Sequence, residues 1–138
     1  MLTDRQRRFL AGRATGHLAT ASRDAIPHVV PVCFTIVGMT LYTAIDGKPK
    51  RPGARLQRLA NIAANPSVAF IADRYDEDWS RIGWVMLRGD ADILDVGAEH
   101  DAAQAILKAR YRQLERMDIA ELPVIALRIA RATEWGEI

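Results

Sequence analysis

Apolar and polar positions along this chain fall into two periods, and their order sketches a fold. Thr3 precedes a helical pattern with Phe9 and Leu10 on one side and Arg5, Arg7 and Arg8 on the other, and Gly16 is expected to close it. His17 to Ser22 reads as a strand and Arg23-Asp24-Ala25 as a tight turn. Ile26 to Val37, rich in β-branched residues, reads as the second strand of a hairpin. Gly38 makes the next turn and Met39 to Ile45 a third strand. The period then changes. Over Arg55 to Ala64, Leu56, Leu59, Ala60 and Ala63 recur at helical spacing, and Pro66 ends the helix by biasing Asn65 away from the α region.

Ser67 to Ala72 predicts a fourth strand and Asp73 to Asp78 a polar loop. Ile82 to Leu94 predicts a long strand, or two halves bent at Gly89. Ala98 to Met117 is expected to be the longest helix, Val124 to Ile129 the last strand and Thr133-Glu134-Trp135 a short end piece. About six antiparallel strands with three helices, in this order, predict a mainly β (α+β) barrel with helical additions. No repeat, low-complexity tract or linker divides residues 1–138, so one domain is expected.

Composition narrows the chemistry. The net charge is only +2, so blanket nucleic-acid binding gains little support. Cys33 is the only cysteine, which excludes an internal disulfide and a thiolate metal cluster. The charged, amphipathic N-terminus has no secretory h-region, and no apolar run reaches the ~18 residues a bilayer span needs. A cytoplasmic protein with no membrane association is the expectation. There is no G-x-G-x-x-G after a strand, no G-x-x-x-x-G-K-[ST] loop, no G-x-S-x-G elbow and no zinc spacing.

The basic charge is concentrated locally. After Asp46-Gly47, the residues Lys48, Lys50, Arg51, Arg55 and Arg58 follow, with Arg55 and Arg58 expected on the helix. Cations between a strand end and a helix start suit a phosphate, because ammonium, guanidinium and free helix N–H donors converge there. A solvated basic turn is the competing reading. Pro49 and Pro52 favour a ligand loop, since they reduce the entropy lost on ordering it. Among the histidines, His17 reads as structural and His100 as solvated on a polar helix, while His28 is as compatible with local structure as with a ligand contact. Asn65 reads as a helix end cap and Cys33 as a small buried hydrophobe. Asp76, Glu77 and Asp78 form no metal site by themselves, with Arg74 and Arg81 as expected partners.

HLATAS with IPHVVPV, then YTAIDGKPKR, then LQRLANIAANPSVAFIADRYDEDW, and finally WVMLRGDADI together resemble the pyridoxamine 5'-phosphate oxidase-like split β-barrels that bind flavins. The branch most similar is that of oxidoreductases dependent on coenzyme F-420, a 5-deazaflavin. The resemblance runs from about Gly16 to Trp135. It implies an FMN-binding split-barrel fold and a homodimer with the cofactor in a groove between two barrels. It implies a cofactor phosphate at Lys48, Lys50 and Arg51, with Arg55 and Arg58 alongside, and a ring near Pro31 and Val32. Thr43 and Ala44 would border the ring or ribityl chain, His28 is a candidate contact to cofactor or substrate, and Trp79 a candidate lid across the dimer interface, with core packing as its alternative.

The implied activity is hydride transfer from reduced coenzyme F-420 to a small electron-poor acceptor, with no catalytic residue identified and no metal. An FMN flavoprotein of the same fold and a non-catalytic cofactor-binding protein remain alternatives. Arg5, Arg7, Arg8, Arg55 and Arg58 are candidates for the acidic tail that distinguishes coenzyme F-420 from FMN. The sequence departs from pyridoxamine phosphate oxidase itself, having no extended C-terminal segment with the arginine and histidine that hold that enzyme's substrate phosphate. Vitamin B6 oxidation is therefore not expected.

Overall fold

The strand pattern folds into one antiparallel sheet. The computed structural model describes residues 1–46 and 55–138, and within them the elements are α1 (Asp4–Ala11), β1 (Gly16–Ala21), β2 (Pro27–Val32), β3 (Thr35–Val37), β4 (Thr40–Ala44), α2 (Gln57–Ala64), β5 (Ser67–Arg74), a 3₁₀ turn (Trp79–Arg81), β6 (Gly83–Leu94), α3 (Ala98–Arg110), α4 (Arg112–Glu115) and β7 (Val124–Gly136). Seven strands take the order β2-β1-β5-β6-β7-β4-β3. The two edge strands, β2 and β3, are consecutive in the chain and separated only by Cys33 and Phe34. Laid flat, seven strands would hold their outer members ~29 Å apart, whereas Val32 to Thr35 can span no more than ~11 Å. The sheet must therefore curl until its edges approach. The result is a β-barrel, split between β2 and β3.

The curvature has a local cause in β6 and β7. Their register runs Arg88↔Arg131 and then Gly89↔Ile129, so one extra residue, Ala130, forms a bulge. A Cβ on Gly89 would lie 1.8 Å from the Arg128 carbonyl oxygen, so only glycine allows this bend. The expected kink at Gly89 is thus a bulge inside one long strand. Leu18, Phe34, Leu41, Phe70, Val85, Leu87, Ile125 and Leu127 fill the interior, with the Phe34 and Phe70 rings 4.7 Å apart.

Outside, the sheet is covered unevenly. On β4 and β7, Tyr42, Val124 and Ala126 face outward and pack against Ala103, Leu107 and Leu114 of α3 and α4. Burial on both faces is why Val124 to Leu127 read as a continuous apolar run and not as alternation. On the outer side of β1, β2 and β5, His17, Ala19, Val29, Ala69, Ile71 and, on β6, Met86 line a shallow apolar groove, with Val29 63% exposed. α1 starts with a capping box between Thr3 and Gln6 and docks on β7, where Gln6 donates to Glu134 at 2.9 Å.

Several expectations are corrected. α1 ends at Gly12, and Gly16 opens β1, where a Cβ would lie 2.1 Å from the Phe70 ring. The apolar run 26–37 is two strands, not one. The helix expected over 98–117 breaks at Tyr111, and the last strand extends through Thr133-Glu134-Trp135 to Gly136. Strand β5 runs on to Arg74, whose guanidinium donates to the carbonyls of Arg81 and Glu137 and, among the described residues, to no carboxylate. His100 is buried, not solvated. Its ring nitrogens meet the Leu122 carbonyl and Asp101, each at 2.8 Å. Burial works against its charge, but these two acceptors outweigh it and raise its pKa. No helix among the described residues is long and apolar enough to cross a membrane.

Candidate functional site

The crossing from β2 to β3 builds a cleft. Main-chain groups of Phe34 are held from α3: the Tyr111 hydroxyl accepts from the Phe34 N–H at 3.1 Å, and Arg110 donates to the Phe34 carbonyl at 2.5 Å. Arg110 also donates to the carbonyls of Leu10, Ala11 and Arg13, and its guanidinium stacks 4.5 Å from the Phe34 ring centre. With Phe34 fixed inward, Pro31, Val32 and Cys33 border a cleft of about 120 Å³ whose other walls are Thr15, Ala44, Asp46, Arg58 and Leu114. Pro31 lacks an N–H, so a proline at this edge leaves its outer side free of ladder donors.

Among the described residues Arg58 is the cation of this cleft. It sits in the first turn of α2, half-buried, and its Nε is buried without a hydrogen-bond partner among those residues. Burial pushes its pKa down, with Asp46 opposing, and Asp46 is itself exposed. Leu56 precedes the helix and supplies no side-chain cap, and the first turn holds no acidic residue. A buried, unpaired guanidinium N–H beside uncapped helix amides is a donor set for an anion. The chemistry fits a phosphate ester at the mouth and an apolar ring against Pro31 and Val32.

Of the sequence-selected residues, the structure brings Pro31, Val32, Ala44 and Arg58 together. Lys48, Lys50 and Arg51 lie outside the described residues. Arg55 precedes α2, is exposed and is absent from the cleft wall. Thr43 is corrected: strand alternation turns it into the barrel, where it is fully buried with its hydroxyl toward the Ala44 carbonyl at 3.4 Å, while Ala44 faces the cleft. His28 lies on the inward side of β2 about three residues, or ~10 Å, from Pro31 and does not line the cleft. Among the described residues its Nδ1 is buried without a partner. Trp79 is 71% exposed on the 3₁₀ turn, with its indole N–H donating to the Tyr75 hydroxyl at 3.5 Å, so core packing is excluded. The neighbouring acids act as turn acceptors: Asp76 receives the Asp78 N–H, and Asp78 receives Ser80. Asn61 is buried and donates to Thr20, and Asn65 accepts from the Ser67 N–H after the helix end.

Sequence reasoning missed Thr15, Cys33, Asp46 and Leu114 as cleft walls. Asp46 read only as the residue before the basic run and Cys33 as a small buried hydrophobe. Thr15 and Leu114 reach the cleft only through tertiary packing, and no spacing marks them. Burial and Asp46 both raise the Cys33 pKa, with Arg110 opposing, so the thiol is held neutral.

The family described as Pyridoxamine 5'-phosphate oxidase matches residues 2–136. Among curated proteins nothing matches. Solved structures share the fold at low identity. The conserved hypothetical protein Rv2991 from Mycobacterium tuberculosis is 17% identical over 99% of this chain and 86% of its own, with a TM-score of 0.79. HutZ, the heme storage protein from Vibrio cholerae, is 14% identical over 99% and 95%, with a TM-score of 0.72. A candidate 5-nitroimidazole antibiotic resistance protein from Bacteroides thetaiotaomicron is 12% identical over 97% and 84%, with a TM-score of 0.73.

Proposed function

The chain belongs to the pyridoxamine 5'-phosphate oxidase family, and we propose on that basis that it is an oxidoreductase using coenzyme F-420, with FMN as the alternative cofactor. The observation that carries the reading is the unpaired, buried Nε of Arg58 in a cleft whose far wall is Pro31 and Val32. Arg58 binds the phosphate end, joined by Lys48, Lys50 and Arg51 on sequence position. Pro31, Val32 and Ala44 keep water from one face of the ring, and Leu114 closes the side. The bound cofactor supplies hydride chemistry toward an electron-poor acceptor such as an enone, quinone or imine. The protein's part is orientation, exclusion of water and charge neutralisation at the phosphate.

The reading includes a homodimer and a single cofactor-binding domain over residues 1–138. Support for the dimer is the bare apolar face of β1, β2 and β5, with the exposed Val29 at its β2 edge, on the side of the barrel that α3 leaves uncovered. Trp79, exposed on its turn, is then available to a partner copy.

The test is a fluorescence-quenching titration of the purified protein, in parallel, with coenzyme F-420, FMN and haem. Preference for coenzyme F-420 with turnover of activated alkenes supports the proposal. Preference for FMN retains the site and changes the cofactor. Binding of haem alone, without reductase activity, would replace an enzyme by a storage protein.

A further inference from the structure

A second cavity lies between α1 and β3, with a volume of about 410 Å³ against the cleft's 120 Å³. Its walls are Leu10 and Ala11 from α1, Phe34 and Ile36 from the β3 side, and two arginines, Arg7 and Arg110. Arg7, Leu10 and Ala11 stand at i, i+3 and i+4, so one face of α1 presents a cation beside two apolar groups. β3 is the terminal strand of the sheet, so no further strand occupies this space.

The charge is unbalanced. Among the described residues neither arginine has a carboxylate within ion-pair distance: the carboxylates engaged by arginine are Glu134 with Arg5, Asp76 with Arg81, and Asp92 and Glu99 with Arg128. Arg110 is bonded to main-chain carbonyls, which orient it but do not cancel its formal charge. Among the described residues the Arg7 guanidinium has only the Met39 thioether at 3.9 Å, a weak acceptor.

We propose that this cavity binds a small organic carboxylate with an aromatic or branched apolar body. The volume is that of a small-molecule site, and its composition is the usual one, mostly apolar with a few convergent polar groups. The carboxylate meets the guanidinium of Arg7 with Arg110 behind it, and the apolar body replaces water against Leu10, Ala11 and Ile36. A compact inorganic anion fits less well, since its whole hydration shell would be lost against apolar walls. The site stands apart from the cofactor cleft: the two walls have no residue in common.

The experiment is a ¹H–¹⁵N correlation titration of the full chain with phenylacetate and, separately, phenylacetamide. Saturable shifts at the amides of Leu10, Ala11, Thr35 and Ile36 are expected with phenylacetate, and at least tenfold weaker binding of the amide. Arg7→Gln, whose side chain makes no structural ion pair, should weaken phenylacetate by tenfold or more. Ala11→Trp, at an exposed helix end, should fill the cavity and abolish the shifts. Equal response to acid and amide, no effect of Arg7→Gln, or shifts confined to Pro31, Cys33, Ala44 and Asp46 would overturn the proposal. The last pattern would place the probe in the cofactor cleft.

Discussion

Glu99 fastens the start of α3 to the sheet, and replacing it with glutamine tests how the cleft wall is held. Its carboxylate accepts the Tyr42 hydroxyl from β4 at 2.5 Å and both terminal nitrogens of Arg128 from β7 at 2.5 and 3.0 Å. Arg128 and Tyr42 hold its pKa at about 2, against an ordinary 4.5. That difference corresponds to about 3 kcal/mol of linkage, a ceiling. The side chain is 41% exposed, so solvent screening reduces the contribution to about 1 kcal/mol. Because the folded pKa is depressed, the stabilisation is complete above about pH 4.5 and is lost as pH falls toward 2. Urea unfolding of the native protein and Glu99→Gln, followed from pH 7 to pH 2.5, should show a gap of about 1 kcal/mol at pH 7 that closes in acid. A gap independent of pH would refute the electrostatic reasoning. The other end of the same helix carries Arg110 and Tyr111, so the variant should also bind cofactor more weakly.

Three further outcomes are expected. Tyr111→Phe removes a hydroxyl that accepts from the Phe34 N–H and donates to the Ala14 carbonyl at 2.9 Å; the cost should be about 1–2 kcal/mol in chemical denaturation, with weaker cofactor binding because the cleft edge at Cys33 loosens. Gly16→Ala drives a methyl to 2.1 Å from the Phe70 ring and 2.9 Å from the Ile71 carbonyl, and should lower stability by about 2 kcal/mol or more by thermal unfolding. Val29→Glu puts a charge on the bare apolar face and should convert a dimer to a monomer by light scattering, with the circular dichroism spectrum unchanged; a native protein already monomeric at micromolar concentration would contradict the assembly.

The strands were legible where one face is buried and the other wet, as at His17 to Ala21, because alternation then survives in the sequence. The bend at Gly89 was legible because glycine marks it. The break at Cys33-Phe34 was not. The run VVPVCFTIV has its one proline, Pro31, inside β2 and no turn residue at Cys33-Phe34, and the chain turns there because Tyr111 and Arg110, more than seventy positions away, take the main-chain groups of Phe34. The break in the last helix at Tyr111 was hidden for the same reason. His100 looked solvated because Glu99 and Asp101 flank it, yet its ring passes inward to the Leu122 carbonyl. At the cleft, Arg58 was singled out by the local concentration of basic charge, and Pro31, Val32 and Ala44 by the family resemblance. Thr43 was expected to border the ring together with Ala44, but residues adjacent in sequence face opposite sides of a sheet and Thr43 points into the barrel.

Arg58 is the group on which anion binding in the cleft depends. The decisive measurement is the dissociation constant of coenzyme F-420 and of FMN for the native protein and for Arg58→Met, by fluorescence quenching, with melting temperatures recorded alongside. Loss of one charge-assisted hydrogen bond corresponds to ~10–100-fold weaker binding. The account predicts that loss for whichever cofactor binds, with an unchanged melting temperature. Undiminished affinity in Arg58→Met would contradict it.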